Sequence, residues 1–288
     1  MTYRGRFAPS PTGLLHAGSL AAAVGSWLCA RHAQGQWLIR MEDIDPPREV
    51  TGSSAAILAA LPAFGLVADA PVIYQSSRAP AYEQAFERLK QAGLVFPCWC
   101  SRNDLAATHG IHRDGRCVAT PDPHREPAWR IRVPDEQVTF IDDLQGEQRQ
   151  NLRDAVGDFV IRRVEGFYAY QLACVVDDAW QGISDVVRGS DLLDSTPRQI
   201  WLQRCLDLPT PRYLHLPLVL DSEGRKLSKS ERSLEVDASD PLPALRRALA
   251  FLTIKADQNA VNAAELLDSA LAHFDPKNLP HCSGHRLA

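Results

Sequence analysis

Apolar and polar positions along the first hundred residues predict strands and helices in alternation. Residues 3–8 are typical of a short strand, residue 20 opens a strongly helical run, and residues 36–41 form a second apolar strand. Amphipathic helices are predicted over residues 57–66 and 82–93. This strand–helix–strand order is typical of an α/β protein with a parallel sheet.

The pattern changes in the middle of the chain and then returns. Residues 101–127 are polar and show little periodicity. Residues 128–133 and 138–141 alternate as the two strands of a hairpin would, before a polar turn near Gly146. The later pattern predicts strands at 158–163, at 185–188 before a flexible turn, and at 214–220. It predicts helices at 195–206, 242–252 and 260–273.

Residues 6–19 form a loop that predicts an anion site. The loop joins a strand end to a helix start, where unpaired N–H groups and the helix dipole favour negative charge. Gly13 and Gly18 let the backbone approach a ligand closely, and Ser19 can cap the helix. His16 lies near enough to reach a bound phosphate. The alternative is a plain surface turn with His16 on its edge.

A second segment with phosphate chemistry lies far downstream. Lys226 and Lys229 are separated by small residues in the run Lys-Leu-Ser-Lys-Ser, which follows an apolar stretch and a turn at 221–224. Two lysines on such a loop suit a transient polyanion such as a leaving pyrophosphate.

Together the two segments resemble the paired motifs of class I aminoacyl-tRNA synthetases. Residues 16–19, His-Ala-Gly-Ser, are similar to the family's His-Ile-Gly-His element, and residues 226–230 are similar to its Lys-Met-Ser-Lys-Ser loop. The lead-in Arg-Phe-Ala-Pro-Ser-Pro-Thr-Gly at 6–13 resembles the glutamyl branch in particular. The resemblance extends from residue 6 to residue 230.

The resemblance implies an α/β fold whose catalytic domain is a Rossmann-like parallel sheet. We expect the first half of this domain at 1–96 and the second half, with the lysine loop, at 158–235. An inserted α+β subdomain that contains zinc is expected at 97–157, where this class carries its acceptor-end domain. Residues 236–288 are expected to form a short helical region, with no anticodon-binding domain.

The strand at 36–41 is followed by a carboxylate that fits an amino-acid pocket. Ligands of parallel sheets sit beyond the carboxyl ends of the strands, so Glu42 would share a crevice with His16 and hold an ammonium group. The alternative is that the acidic residues 42–45 cap the next helix. The resemblance implies that Tyr170 contacts the substrate and that Arg188 binds its carboxylate, which an arginine can grip bidentately.

The resemblance also assigns the remaining site residues. We expect the catalytic residues to be His16, Lys226 and Lys229. We expect ATP to contact Pro9, Ser10, His16, Gly18, Ser19 and Lys229. We expect glutamate to contact Arg6, Phe7, Ala8, Pro9, Ser10, Glu42, Tyr170 and Arg188. Mg²⁺ would enter with ATP and neutralise phosphate charge.

Cysteines in the polar segment predict a structural zinc site. Cys98, Cys100 and Cys117 with a histidine would give zinc four ligands and order a segment poor in apolar residues. The alternative is three free or structural thiols. Short glutamyl-type relatives carry two cysteines, a tyrosine and a cysteine here, but the tyrosine is absent from this sequence. We expect His112 to replace it, with His109 as the second candidate.

Composition sets the broad class of protein. The chain has 288 residues, 45% hydrophobic, a net charge of −4 and seven cysteines. It has no secretion signal and no apolar stretch of membrane-spanning length, so we expect a cytoplasmic protein with reduced thiols and no membrane partner. The net charge excludes non-specific coating of nucleic acid but permits a local basic patch. We also expect a monomer.

The resemblance narrows the expected function to that of truncated glutamyl-tRNA synthetase paralogues. Only 58 residues follow Ser230, too few for the anticodon-binding region of the longer enzymes. The short relatives activate glutamate with ATP without tRNA. They then transfer it to queuosine at the wobble position of tRNA(Asp), so the expected partners are ATP, L-glutamate and the anticodon stem-loop of that tRNA.

Three other functions remain open from the sequence. A shortened enzyme could charge the acceptor end of tRNA(Glu), or a non-catalytic paralogue could bind adenylate or tRNA and regulate. A nucleotidyltransferase with the same type of sheet is the third, and it would not need a pocket lined by arginines.

Overall fold

A computed structural model describes residues 2–101, 103–220 and 236–281, and the backbone of 284–286. The strands are β1 (Arg4–Phe7), β2 (Gln36–Met41), β3 (Ile73–Tyr74), β4 (Val95–Cys98), β5 (Ala128–Ile131), β6 (Gln137–Asp142), β7 (Gly146–Asn151), β8 (Phe159–Arg162), β9 (Asp185–Gly189), β10 (Arg212–Leu216), β11 (Leu218–Leu220) and β12 (Gly284–Arg286). The α-helices are α1 (Ala17–His32), α2 (Ser53–Ala63), α3 (Ala79–Gln91), α4 (Leu152–Ala155), α5 (Tyr170–Gln181), α6 (Thr196–Cys205), α7 (Pro241–Phe251) and α8 (Ala263–Ala272).

The first unit is the predicted strand–helix–strand, which is confirmed. Strands β1, β2 and β3 are parallel neighbours, with Arg6 opposite Leu38 in the register. Helix α1 connects β1 to β2 and is largely buried between the sheet and helices α7 and α8. Small and apolar residues are buried on most sides of this helix. Its position is therefore set by packing all around it rather than by one amphipathic face.

A second sheet continues the parallel core. Its order is β7-β6-β10-β9, and β10 pairs in parallel with both β9 and β6. Just before β9, the Ser184 N–H donates to the Arg4 carbonyl at 3.0 Å, and the Ser184 hydroxyl accepts from the Arg4 N–H at 2.8 Å. The carboxyl ends of β1, β9 and β10 therefore open toward one crevice, as expected for a mixed α/β fold with a parallel sheet.

The hairpin in the middle of the chain differs from the prediction. The sequence pattern paired residues 128–133 with 138–141, but β5 lies between β4 and β8 in an antiparallel sheet. The hairpin is instead β6–β7, and β7 was missed because its residues are almost all polar. An exposed strand of this kind carries no alternating apolar signal.

The predicted domain boundary at 157/158 stays a prediction, and strand pairing crosses it. Strand β8 completes the sheet of β4 and β5, while the β6–β7 hairpin joins the parallel sheet through β10. None of the helices in the described part of the chain is long and apolar enough to span a membrane.

Candidate active site

One cavity of about 510 Å³ lies where the β1–α1 loop meets the carboxyl ends of β9 and β10 and the start of α5. It gathers most of the predicted site residues on one surface. The predicted residues among its lining are Arg6, Phe7, Ala8, Pro9, Ser10, His16, Gly18, Ser19, Tyr170 and Arg188.

The β1–α1 loop ends in a capped helix start on this cavity. His16, not Ser19, is the N-cap of α1, and its Nδ1 accepts from the Ser19 N–H at 3.3 Å. Its Nε2 lies 2.9 Å from the Ser19 hydroxyl. The expectation that Ser19 caps the helix is therefore wrong, because α1 begins three residues earlier than the apolar run indicates. The helix start and its N–H groups still face the cavity, where an anion is favoured.

Backbone hydrogen bonds hold this loop against the segment after β2. The Pro9 carbonyl accepts from the Glu42 N–H at 2.9 Å, and the Pro11 carbonyl accepts from the Val50 N–H at 2.9 Å. Gly13 has a φ of 145°, and a side chain there would meet nothing within 4 Å. The loop is therefore anchored near its prolines, and glycine serves its backbone conformation rather than a tight fit.

Arg6 is 2% exposed and belongs to a buried ion-pair network at the floor of the site. Its Nε donates to Asp178 Oδ1 at 3.1 Å, and Arg40 Nη1 donates to the same oxygen at 2.7 Å. Burial alone would raise the pKa of Asp178, but the two guanidinium groups outweigh it and hold that pKa well below its usual range. Arg6 contacts Asp178 through Nε and Nη2, so its Nη1 is not used in this ion pair.

Glu42 lies in the same network and not among the residues that line the cavity. Its Oε1 accepts from Arg40 Nη2 at 3.3 Å, and its side chain is 6% exposed. Burial raises the pKa of Glu42, and the positive charge of Arg40 opposes that shift. The carboxylate therefore balances Arg40 in the described structure, and its predicted contact with a substrate ammonium group stays a prediction.

Arg188 and Tyr170 line the cavity beside Arg6. Arg188 is 5% exposed and donates to neutral groups, the imidazole of His215 at 2.9 Å and the hydroxyl of Thr196 at 2.8 Å. Its Nη1 is buried without a hydrogen-bond partner among the described residues. Tyr170 opens α5, and burial raises its pKa well above the usual value. A carboxylate in the cavity would supply the partner that the Arg188 guanidinium lacks.

Sequence reasoning missed the residues that support these side chains. From the sequence, no role is assigned to Asp178, and His215 is covered only as one residue of the predicted strand at 214–220. A polar residue between Leu214 and Leu216 on a buried strand is the signal that would have found His215, because such a group needs a partner in the core.

The cysteine segment, defined as residues 98–127, brings three thiols together. The Sγ atoms of Cys98, Cys100 and Cys117 all lie within 4.8 Å of one another. Those of Cys100 and Cys117 are 3.7 Å apart, close to the about 3.8 Å that two tetrahedral Zn–S bonds of about 2.3 Å require. Arg130 Nε donates to Cys98 Sγ at 3.3 Å, which favours a thiolate. The cluster therefore fits a zinc ion chemically.

Hydrogen bonding also prepares one of these thiols. Burial raises the pKa of Cys98 to about 11. Burial acts in the same direction on Cys117, but hydrogen bonds led by the Trp99 N–H, at 3.2 Å, outweigh it and lower that pKa. A coordinated metal would favour the thiolate form of each of these cysteines.

His112, expected as the fourth ligand, is not brought into this cluster. It is fully buried, its Nδ1 lies 2.9 Å from Asp158 Oδ2, and its ring packs against Phe96. Asp158 N–H also donates to the His112 carbonyl at 2.5 Å. Both the side chain and the backbone of His112 are therefore held toward β8, and this part of the prediction differs from the structure. Lys226 and Lys229 lie outside the described residues.

Comparisons with known proteins agree with the geometry. Residues 2–287 match the family described as tRNA synthetases class I (E and Q), catalytic domain. A glutamyl-Q tRNA(Asp) synthetase of Xanthomonas campestris pv. campestris is 56% identical over 284 residues, which cover 97% of this chain and 94% of that protein. A glutamyl-Q tRNA(Asp) synthetase of Pseudomonas aeruginosa is 50% identical over 284 residues, covering 98% and 97%.

The fold is similar to that of a solved synthetase. The crystal structure of glutamate-tRNA synthetase from Elizabethkingia anophelis superposes with a TM-score of 0.81, at 23% identity, over 100% of this chain and 68% of that chain. At this identity the likeness concerns the fold, and it confirms the expected class of α/β architecture.

Proposed function

This chain belongs to the class I tRNA synthetases for glutamate and glutamine, and we propose that it activates glutamate with ATP and transfers it to queuosine of tRNA(Asp). The family assignment confirms the resemblance drawn from residues 6–19 and 226–230. The names of the relatives at 50–56% identity, which match nearly the whole chain, support the choice of glutamate and of tRNA(Asp).

The observation that carries the proposal is the shared cavity. A helix start suited to phosphate, with His16 as its cap, lines the same space as Arg188, whose Nη1 has no hydrogen-bond partner in the part of the chain that the structure describes. ATP would bind along the loop from Pro9 to Ser19. Glutamate would bind between that loop and Arg188, so its α-carboxylate would meet the α-phosphate.

The first step joins these two substrates. The α-carboxylate oxygen of glutamate attacks the α-phosphorus, pyrophosphate leaves, and negative charge builds on the phosphoryl oxygens. Fixed donors at the start of α1 and at His16 would stabilise that charge, and Lys226 and Lys229 would meet the leaving pyrophosphate. Mg²⁺ bound with ATP would neutralise part of the phosphate charge.

The second step transfers the glutamyl group. A hydroxyl of queuosine attacks the carbonyl carbon of the mixed anhydride, AMP leaves, and an ester forms. Positioning of that hydroxyl is the main requirement, and no covalent enzyme intermediate is needed. We assign this reaction, and with it the protein, to the cytoplasm, where its tRNA substrate is found.

Charge complementarity would discriminate glutamate from glutamine. Arg6 and Arg40 are balanced by Asp178 and Glu42, whereas the partners of Arg188 among the described residues are neutral groups. A side-chain carboxylate would pair with a guanidinium in this pocket, and an amide would leave that charge uncompensated. The difference in binding free energy is on the order of 2–5 kcal/mol.

We assign a structural zinc to Cys98, Cys100 and Cys117. Zinc would supply cross-links to a segment that has little apolar core of its own. The thiol spacing and the Arg130 contact support this assignment. The fourth ligand is open, and His109 stays a prediction.

The test measures each half-reaction separately. Wild-type protein is expected to catalyse glutamate-dependent ATP–pyrophosphate exchange without tRNA. It is then expected to transfer labelled glutamate to tRNA(Asp) that contains queuosine and not to a queuosine-free transcript. Transfer to the transcript, or to the acceptor end of tRNA(Glu), would contradict the proposal in favour of acceptor-end charging. Absence of exchange with all amino acids would favour a regulatory protein.

A further inference from the structure

Arg188 is held by a line of side chains that crosses three neighbouring strands. Asp142 lies on β6, His215 on β10 and Arg188 on β9, and the sheet order places β10 between the other two. His215 and Arg188 are direct partners in the strand register. Side chains paired in this way share one face of the sheet, so the line ends at the residue that lines the cavity.

The hydrogen bonds determine which nitrogen of His215 carries a proton. Arg188 Nε can only donate, so His215 Nε2, at 2.9 Å, must accept and carries no proton. His215 Nδ1 therefore carries the proton and donates to Asp142 Oδ2 at 2.5 Å. His215 is fully buried and neutral, and its orientation is determined from both sides.

Asp142 is itself held firmly. Its Oδ1 accepts from the backbone N–H groups of Leu144, Gln145 and His215 at 3.1, 2.8 and 3.2 Å. These bonds belong to the β6–β7 turn and to β10, so the carboxylate is part of the sheet framework. The imidazole is therefore fixed to the backbone rather than to another flexible side chain.

The geometry points to His215 as a positioning residue for the substrate carboxylate. With Nε bound to His215 and Nη2 bound to Thr196, the guanidinium plane of Arg188 is determined and Nη1 is left for the ligand. This inference rests on the proposed function and adds a specificity determinant to it. His215 acts through Arg188 and is not itself expected to touch glutamate.

A core histidine that only fills space would behave differently. Its loss would lower stability and affect both substrates alike. A positioning residue affects the substrate that Arg188 binds and spares the substrate bound at the α1 loop. The Michaelis constants for glutamate and for ATP therefore separate the two roles.

The experiment compares His215→Phe with His215→Gln in the full-length protein. Phenylalanine keeps ring volume but removes both hydrogen bonds, and we expect KM for glutamate in pyrophosphate exchange to rise about 10–100-fold, the scale of a hydrogen bond to a charged group. KM for ATP is expected to stay within about twofold, because ATP binds at the α1 loop and loses no hydrogen bond when Arg188 shifts. Glutamine offers an amide oxygen to Arg188 and an amide N–H to Asp142, so a partial rescue is expected.

Several outcomes would overturn the inference. An unchanged KM for glutamate in folded His215→Phe would do so, and so would equal changes for glutamate and ATP. If that variant does not fold, His215→Gln decides. Because its rescue is only partial, KM for glutamate must still exceed the wild-type value while KM for ATP does not, and an unchanged KM for glutamate overturns the inference. Wild-type protein without glutamate-dependent exchange would overturn the proposed function instead, before any variant is compared.

Discussion

Two buried aspartates organise different regions of the molecule with different kinds of partner. Asp178, on α5, receives hydrogen bonds from the guanidinium groups of Arg6 and Arg40 below the cavity. Asp158, just before β8, holds the cysteine segment, whose partners there are a backbone N–H group and an imidazole. Both residues are at most 5% exposed, but among the described residues formal positive charge surrounds only the carboxylate of Asp178.

The two regions require different properties of their aspartates. Below the cavity the negative charge itself is required, because two buried guanidinium groups would otherwise be uncompensated. At the cysteine segment two acceptor oxygens are required, because the partners are donors without a fixed charge. The same residue type therefore serves electrostatic balance in one region and local chain geometry in the other.

Asp178→Asn tests the electrostatic role and has the largest expected effect. The substitution leaves Arg6 and Arg40 with one compensating carboxylate fewer in a buried site, and we expect a loss of about 3–5 kcal/mol of unfolding free energy. Urea unfolding followed by circular dichroism measures it. Asp135→Asn is the matched control, because its pair with Arg153 is exposed and should contribute less than about 1 kcal/mol. Equal losses would contradict the comparison.

The pH dependence of stability sharpens the same point. The pKa of Asp178 is lowered in the folded state, so the unfolded chain binds a proton first as pH falls. The stabilisation by Asp178 is thus fully present above the unfolded pKa of about 3.9 and is lost as pH falls below it. Asp178→Asn should flatten this acid limb of the stability curve relative to wild type.

Gly157→Ala tests the junction at Asp158. Gly157 has a φ of 70°, and a Cβ there would clash with the His112 carbonyl oxygen. Gly146 is the control, with a φ of 72° and nothing within 4 Å of a Cβ. An alanine in the left-handed backbone conformation lowers the unfolding free energy of both variants by about 1–2 kcal/mol. Gly157→Ala should lose distinctly more, because the clash with the His112 carbonyl oxygen adds to this cost. Thermal unfolding of the two proteins measures the difference, and equal transition temperatures would contradict the close approach.

Asp158→Asn has a smaller expected effect. Asp158 Oδ1 accepts from the Val133 N–H at 3.1 Å, and Oδ2 accepts from the Gly115 N–H at 2.8 Å. An amide keeps one acceptor and turns an NH₂ toward a donor, which costs about 1–3 kcal/mol. Hydrogen exchange should show faster opening of the cysteine segment, while KM for glutamate stays unchanged. A loss as large as that of Asp178→Asn would contradict the distinction between the two aspartates.

Zinc removal is expected to have the smallest global effect. Metal analysis of wild-type protein should find about one zinc per chain. Cys117→Ser should abolish this zinc. It should also speed protease cleavage within the cysteine segment, because the cross-link by the metal is lost. Cys205→Ser, a half-buried thiol on α6 outside the cluster, should keep the metal. Glutamate activation should persist in both. If wild-type protein purified without chelator contains no zinc, the site is refuted.

Much of the local architecture could be predicted from the pattern of residues along the chain. Apolar periodicity is a property of neighbouring residues, so the β1–α1–β2 unit and the helices α7 and α8 could be predicted within a few residues. The cavity loop could be recognised because its chemistry and its resemblance are contained in one continuous stretch. The roles assigned to its residues stay predictions.

Contacts between groups that are distant in sequence could not be predicted in this way, because they depend on the folded chain. The pattern of β5 and β6 did not reveal their partners, because pairing depends on the whole sheet and not on one strand. The resemblance suggested His112 as the replacement for the absent tyrosine of the zinc site, but Asp158, 46 residues further along the chain, holds its imidazole elsewhere. Arg6 likewise finds Asp178 across 172 residues. Buried polar groups take partners that folding brings within hydrogen-bond distance, and this choice is not encoded in local pattern.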